Sequence, residues 1–456
     1  MKLTKINNIK TLALTLCMGG LMASCSDSID LPSTGEELYT SPTESLAFLT
    51  NKYGANNVDS LYFSDNGSTD FYVNLLKPVS SEQTFTIVYD LKALNNYNMA
   101  NGTKVEALPE DLVTITGDAT VAAGESKSAA VKIDYKSAEA LAKNGLYAIP
   151  LVVKGSGVEA SKEKGEFVLM LRDITKMPDC HKENGLQVIS CMEINDANPL
   201  YNLSFTLEKS GKYLFDQVIL FSGNINYNEE TGEVYNYNNE NIAHCLKYKE
   251  KYLEPLQRKG MKVILGILGN HDRSGVANLT KEGAKAFAKE LKAVCDAYNL
   301  DGVMFDDEYS SYGSYPGFDT PSSSAAARLC YETKQAMPDK LVQTYVYGKL
   351  SYLPSVDGHT PGTFIDYANQ DYRVMSDLSN DYEGLPKKAM IQASIELARG
   401  YASSASTYRS IREAGYGGTM FFGLSPKRTY PELFNRVANA FYDENVLIGE
   451  RIEKDW

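Results

Sequence analysis

The chain has 456 residues, a formal net charge of −13 and a hydrophobic fraction of 43%. That length fits two domains better than one. The acidic balance excludes nucleic acid as a partner, because phosphates would be repelled, and suits a neutral polar ligand such as a sugar.

The chain opens on a basic start (Lys2, Lys5, Lys10), then a short apolar run, then small residues before Cys25. This is the layout of a cleaved secretory signal over residues 1–24, and the run is too short to span a bilayer comfortably. "LMAS" directly before Cys25 resembles a bacterial lipobox. The resemblance implies that Cys25 becomes a lipidated first residue, followed by a linker to residue 40. Acidic Asp27 and Asp30 follow at once, which resembles the tag of lipoproteins displayed on the outer membrane at the cell surface. Cys180, Cys191, Cys245, Cys295 and Cys330 remain beyond the signal. Their number is odd and they form no CxxC or Cys/His metal spacing, so buried thiols are expected.

From 41 to 175 the grammar is alternating: "TFTIVYD", "AAVKIDY", "YAIPLVVKG" and "EFVLML", separated by turn-rich pieces. Short alternating runs of this kind predict an antiparallel β-sandwich, with one or two helical turns at "SAEALAKNG" (137–145). From 176 to 456 apolar runs alternate with amphipathic segments. Eight strand-like runs can be counted: "LQVISCMEI", "FDQVILFSGNIN", "MKVILGILGNHD", "DGVMFDDE", "KLVQTYVYG", "FIDYANQDY", "KKAMIQASIE" and "GGTMFFGLSP". Helices are expected at "NENIAHCLKYKEKYLEPLQRKG" and "TKEGAKAFAKELKAVCDAYN", the second with Ala284, Phe287, Ala288, Leu291 and Val294 on one face. Repeated units of this kind predict a (β/α)8 barrel. A doubly wound sheet would want a glycine-rich loop after its first strand, and "SCMEINDANP" has none.

Four carboxylates, Asp301, Asp306, Asp307 and Glu308, crowd the fourth barrel run. Barrel enzymes collect their working groups where strands end. Alternation puts Met304, Asp306 and Glu308 on one face, with the last two backbones roughly 6.6 Å apart. At that spacing one carboxylate raises the other's pKa, which a general acid at neutral pH requires. Asp301 and Asp307 read as structural. A hard-cation site and a purely structural strand end are the competing readings.

"LDGVMFDDEYSSYG" closely resembles the D-x-x-D-x-D-x-E signature of glycoside hydrolase family 18, in the form used by endo-β-N-acetylglucosaminidases. "ILGNHDRSG" and "IDYANQDYR" are similar to that family's third and sixth strand segments, the latter through Gln370 and Tyr372. The resemblance implies cleavage of the N-glycan core between its two GlcNAc residues, with high-mannose glycans favoured and no cofactor or metal. Glu308 would be the acid and Asp306 the group that orients the substrate's acetamido N–H. Tyr372 and Gln370 would hold the acetamido oxygen, and Asn270, His271, Asn369 and Phe422 would contact the glycan. Met304 stands where the full signature has its first inner Asp. A chitinase of the same family and a non-catalytic surface glycan-binding lipoprotein are the alternatives. The only tryptophan, Trp456, argues against a chitinase track of stacked indoles.

Overall fold

Residues 46–155, 157–400 and 402–456 are described by the computed structural model. The signal segment, Cys25 and the linker lie outside them.

Two sheets form the N-terminal domain. One runs Glu159–Ala160, Leu46–Asn51, Asn66–Leu75, Val131–Lys136, Val113–Thr116. The other runs Val58–Phe63, Glu166–Asp173, Gly145–Gly155, Gln83–Tyr89, Ala119–Val121. Alternate residues of both meet in one core, where Phe71 and Phe167 pack edge to face at 4.8 Å. The expected sandwich is present, chiefly antiparallel, although Val58–Phe63 runs parallel to Glu166–Asp173.

One local expectation fails. Residues 137–145 form turns, not a helix: Asn144 takes a positive φ of 55°, and Lys176 Nζ draws the Leu141 carbonyl to 2.7 Å. The domain's helix is Leu91–Asn101, capped by Asp90 at its start and by Gly102 with φ 63° at its end. Its asparagines are poor helix formers, so the caps are the sequence's main sign of it.

The second domain is a closed parallel barrel of β1 (Gln187–Glu193), β2 (Gln217–Asn228), β3 (Lys262–Leu268), β4 (Gly302–Phe305), β5 (Leu341–Val346), β6 (Tyr367–Gln370), β7 (Met390–Ile391) and β8 (Gly418–Phe422). Each strand pairs with the next, and β8 returns to β1. All eight expected runs supply a strand. β2 overshoots the barrel and folds back on Glu233–Asn238 as a hairpin.

The helix Lys281–Tyr298 follows β3, capped by the Thr280 side chain accepting from Gly283 N–H at 3.1 Å. It buries Ala284, Phe287, Ala288 and Leu291, and the two larger side chains each contribute about 1.5–3 kcal/mol. The single helix expected over 240–260 is three short ones, Glu240–Lys247, Lys249–Tyr252 and Glu254–Gln257. Pro255 has no N–H to continue the ladder. After β1, β5 and β6 only 3₁₀ turns occupy the helix layer, among them Pro199–Ser204 and Pro361–Thr363.

Inward residues fill the barrel. Ile189, Cys191, Ile219, Ile264, Met304, Tyr345, Ile391 and Met420 form one apolar cluster. Buried amides cross it: Gln343 donates to Gln217 at 2.6 Å, Gln217 to Gln187 at 3.2 Å, and Asn369 to Gln343 at 3.2 Å.

Candidate active site

Above the apolar cluster, where the strands end, lies a cavity of about 550 Å³. Asp306 and Glu308 reach it from the end of β4, and Tyr309, Tyr345, Tyr347, Tyr372 and Phe422 wall it. Met304 lies beneath them, 1% exposed. Alternation along the acidic stretch is as the pattern requires, since Asp307 turns the other way. Asp307 accepts from the Tyr312 hydroxyl and from Lys349 N–H at 2.6 Å, where it caps the 3₁₀ turn Gly348–Ser351. Asp301 accepts from Val263 N–H and Gln257 Nε2, both at 2.9 Å, and so pins the starts of β3 and β4.

Burial raises the Asp306 carboxyl well above its ordinary range, with Glu308, Asp307 and Asp371 adding like-charge repulsion. Asp306 is 4% exposed, and its Oδ1 has no partner among the described residues. Glu308 is raised too, by burial first, then by Asp371 and Asp307. A carboxyl with a raised pKa that opens on a cleft is suited to general acid catalysis.

The stretch after β3 fixes the acid's backbone. Gly269 N–H donates to the Glu308 carbonyl at 3.1 Å, His271 N–H to the Tyr309 carbonyl at 2.6 Å, and Ser311 N–H to the Asp272 carbonyl at 2.8 Å. A Cβ on Gly269 would stand 2.3 Å from the Glu308 carbonyl, so only glycine allows this approach. Asn270 and His271 therefore belong to a backbone clamp and lie outside the cavity lining. The Asn270 side chain donates to Asn226 at 3.2 Å, and the His271 ring meets Tyr309 edge-on at 5.6 Å.

The sixth strand corrects part of the expected pair. Tyr372 lines the cavity, its hydroxyl pKa raised first by burial. Gln370, the last residue of β6, lies outside the cavity lining and donates to Ser376 Oγ at 2.7 Å, whereas Tyr372 lies past the strand's end, where the chain turns back to the cavity. Asn369 is on the inner face but lies below the cavity, fully buried, donating to Gln343 and to the Thr344 carbonyl at 3.2 Å.

The cavity also holds groups that motif reading missed. Asp371 lines it between Gln370 and Tyr372, as do Glu193, Glu396 and Arg399. Asp371 lies just past the end of β6, where strand alternation gives no guide to its direction. Arg399 is paired with Glu396 at 2.5 Å. Among the described residues no cluster of His, Cys, Asp and Glu is arranged to hold a metal ion.

A parallel barrel whose fourth strand ends in two carboxyls, inside an aromatic-walled cleft, has the build of a glycoside hydrolase. The chain is 51% identical over 280 residues to endo-β-N-acetylglucosaminidase F1 of Elizabethkingia meningoseptica, covering 59% of this chain and 83% of that relative. It is 35% identical over 245 residues to an endo-β-N-acetylglucosaminidase of a Flavobacterium species, covering 53% of this chain and 76% of the relative. The crystal structure of Bacteroides thetaiotamicron EndoBT-3987 with a Man5GlcNAc product matches with a TM-score of 0.57 at 34% identity, over 90% of this chain and 97% of that one. The same enzyme with a Man9GlcNAc2Asn substrate matches with the same TM-score and coverage at 32% identity. A family model described as a "-like, N-terminal domain" matches residues 39–159. The chain belongs to the endo-β-N-acetylglucosaminidase family and is a glycoside hydrolase.

Proposed function

We propose that the enzyme cuts the GlcNAc-β-1,4-GlcNAc bond in the core of high-mannose N-glycans and leaves one GlcNAc on the protein. The observation that carries this reading is the Asp306–Glu308 pair at the cavity floor, both carboxyls raised first by burial and Asp306 further by Glu308. Relatives add support: EndoBT-3987 has been solved with Man5GlcNAc and with Man9GlcNAc2Asn. So does charge, since Glu193 and Asp371 face the cavity beside the pair and would repel sialylated or phosphorylated glycans.

Glu308 protonates the glycosidic oxygen as the bond to the leaving GlcNAc breaks. The 2-acetamido oxygen of the other GlcNAc, the one joined to mannose, attacks its own anomeric carbon, giving an oxazolinium ion without an enzyme nucleophile. Asp306 accepts from the acetamido N–H and balances the positive charge that grows there. The Tyr372 hydroxyl donates to the acetamido oxygen. Glu308, now ionised, takes a proton from water, which opens the ring with retention. Gln370 has no part in this scheme.

Mass spectrometry of a high-mannose glycoprotein incubated with the enzyme tests the reading. Loss of the glycan but for one GlcNAc is expected, and Glu308→Gln should fall about 10²–10⁴-fold. Binding without cleavage by the parent enzyme would sink it. By the same reading Cys25 carries a lipid that holds the enzyme at the cell surface. Metabolic fatty-acid labelling that leaves the protein unlabelled would refute the anchor.

A further inference from the structure

Met304 leaves the barrel interior one carboxylate short of the D-x-x-D-x-D-x-E pattern. A different strand brings one to the same cavity. Asp371 follows β6 directly and lines the cavity with Asp306 and Glu308. Its Oδ1 accepts from the Tyr345 hydroxyl and from Tyr372 N–H, the latter at 2.6 Å. Neither donor is a cation, so both fix the carboxylate without neutralising it. Tyr345 is itself braced. Its ring stacks on Tyr347 with centroids 6.1 Å apart and meets Tyr372 at 6.0 Å, and the residue is 7% exposed.

We infer that Asp371, held by Tyr345, is a positioning residue that keeps Glu308 protonated before catalysis, supplying from β6 the inner carboxylate that Met304 removes from β4. The inference rests on the acid role proposed for Glu308. A fixed anion beside a second carboxyl disfavours ionisation of the second. Among charged groups Asp371 is the largest contributor to the raised Glu308 carboxyl, after burial and ahead of Asp307. Other titratable groups face the same space: Cys191 and Glu193 from β1, Asp306 and Tyr309 beside Glu308, Tyr345 and Tyr347 from β5, Tyr372 after β6, and Glu396 with Arg399 after β7. Arg399 would pull the other way, but its pairing with Glu396 at 2.5 Å spends that charge locally.

Asp371→Asn is the test. An amide oxygen accepts from the same two donors, so the clamp survives while the charge is lost. The alkaline limb of the kcat/KM profile on a Man9GlcNAc2 glycopeptide should move down by about one pH unit. The Glu308 carboxyl-carbon NMR titration, assigned by its absence in Glu308→Gln, should move with it. Asp371→Glu should return both toward the parent values. A limb and a titration that stay where they are, or move upward, would overturn the inference. If the parent enzyme cleaves no glycan, the functional reading fails by itself, and the titration still decides the role of Asp371.

Discussion

Nζ of Lys251 lies 2.7 Å from Oδ1 of Asp59, so a barrel helix and a sandwich strand share an ion pair that water hardly reaches. Asp59 also accepts from Asn51 at 2.6 Å, and Lys251 reaches Asp455 of the C-terminal tail at 2.7 Å. Lys52 pairs with Glu250 at 2.5 Å across the same boundary, and Tyr53 packs edge-on against Tyr248 at 5.3 Å. Two domains joined this way should unfold together. Lys251→Ala strands Asp59 in a buried place without its cation, and breaking a buried pair from one side costs about 3–5 kcal/mol. Calorimetry should show a lower and broader transition, or two. An unchanged single transition would show that the boundary is held by other contacts.

The elements legible in sequence were those whose pattern matches one dominant force. Most barrel runs are largely apolar and buried on both faces, and the Lys281–Tyr298 helix has a stripe, a Thr cap and a left-handed Asn299 at its end. Alternation alone puts Asp306 and Glu308 together, and Asp301 and Asp307 apart from them in structural roles. What failed depends on contacts distant in sequence. Residues 137–145 lose a helix to a lysine 35 positions from Leu141. Gln370 and Tyr372 share a phase in the sequence, and what separates them is that β6 stops at Gln370, an end the motif does not mark. Asn369 has the right face but the wrong depth, and depth in a barrel is set by strand stagger, which no single strand reveals. Asp371 was passed over because it lay inside a motif read for its flanking residues.

Asp306 should make the protein less stable as pH rises. Its folded pKa is raised by burial and then by Glu308, Asp307 and Asp371, whereas an unfolded Asp titrates near about 3.9. A raised carboxyl contributes its stability fully below the unfolded value. That contribution is lost as pH climbs through the folded value, because the native state must then ionise a buried group. Asp306→Asn removes this liability. The variant should unfold at the same temperature as the parent at acid pH and at a higher one at neutral and alkaline pH, while cleavage falls. Thermal melts across pH would show it. A variant less stable at every pH would mean that the ionised Asp306 has a stabilising partner the geometry does not show.

Tyr372 and Gln370 separate a cavity group from a scaffold group on neighbouring residues. Tyr372 presents its hydroxyl to the cavity, with its ring 6.0 Å from Tyr345. Tyr372→Phe keeps the ring and removes the donor that holds the acetamido oxygen in line with the anomeric carbon. Positioned donors of this kind contribute about 10²-fold or more, so kcat should fall by about that factor with KM little changed. Gln370 is 3% exposed and donates to Ser376 at 2.7 Å behind the cavity wall. Gln370→Ala should leave the chemical step nearly intact and cost stability, about 1–3 kcal/mol for the partner groups it strands. Steady-state kinetics and denaturant melts on both variants decide the matter. If Gln370→Ala is the catalytic lesion and Tyr372→Phe the stability lesion, the inward and outward assignments at the end of β6 are reversed.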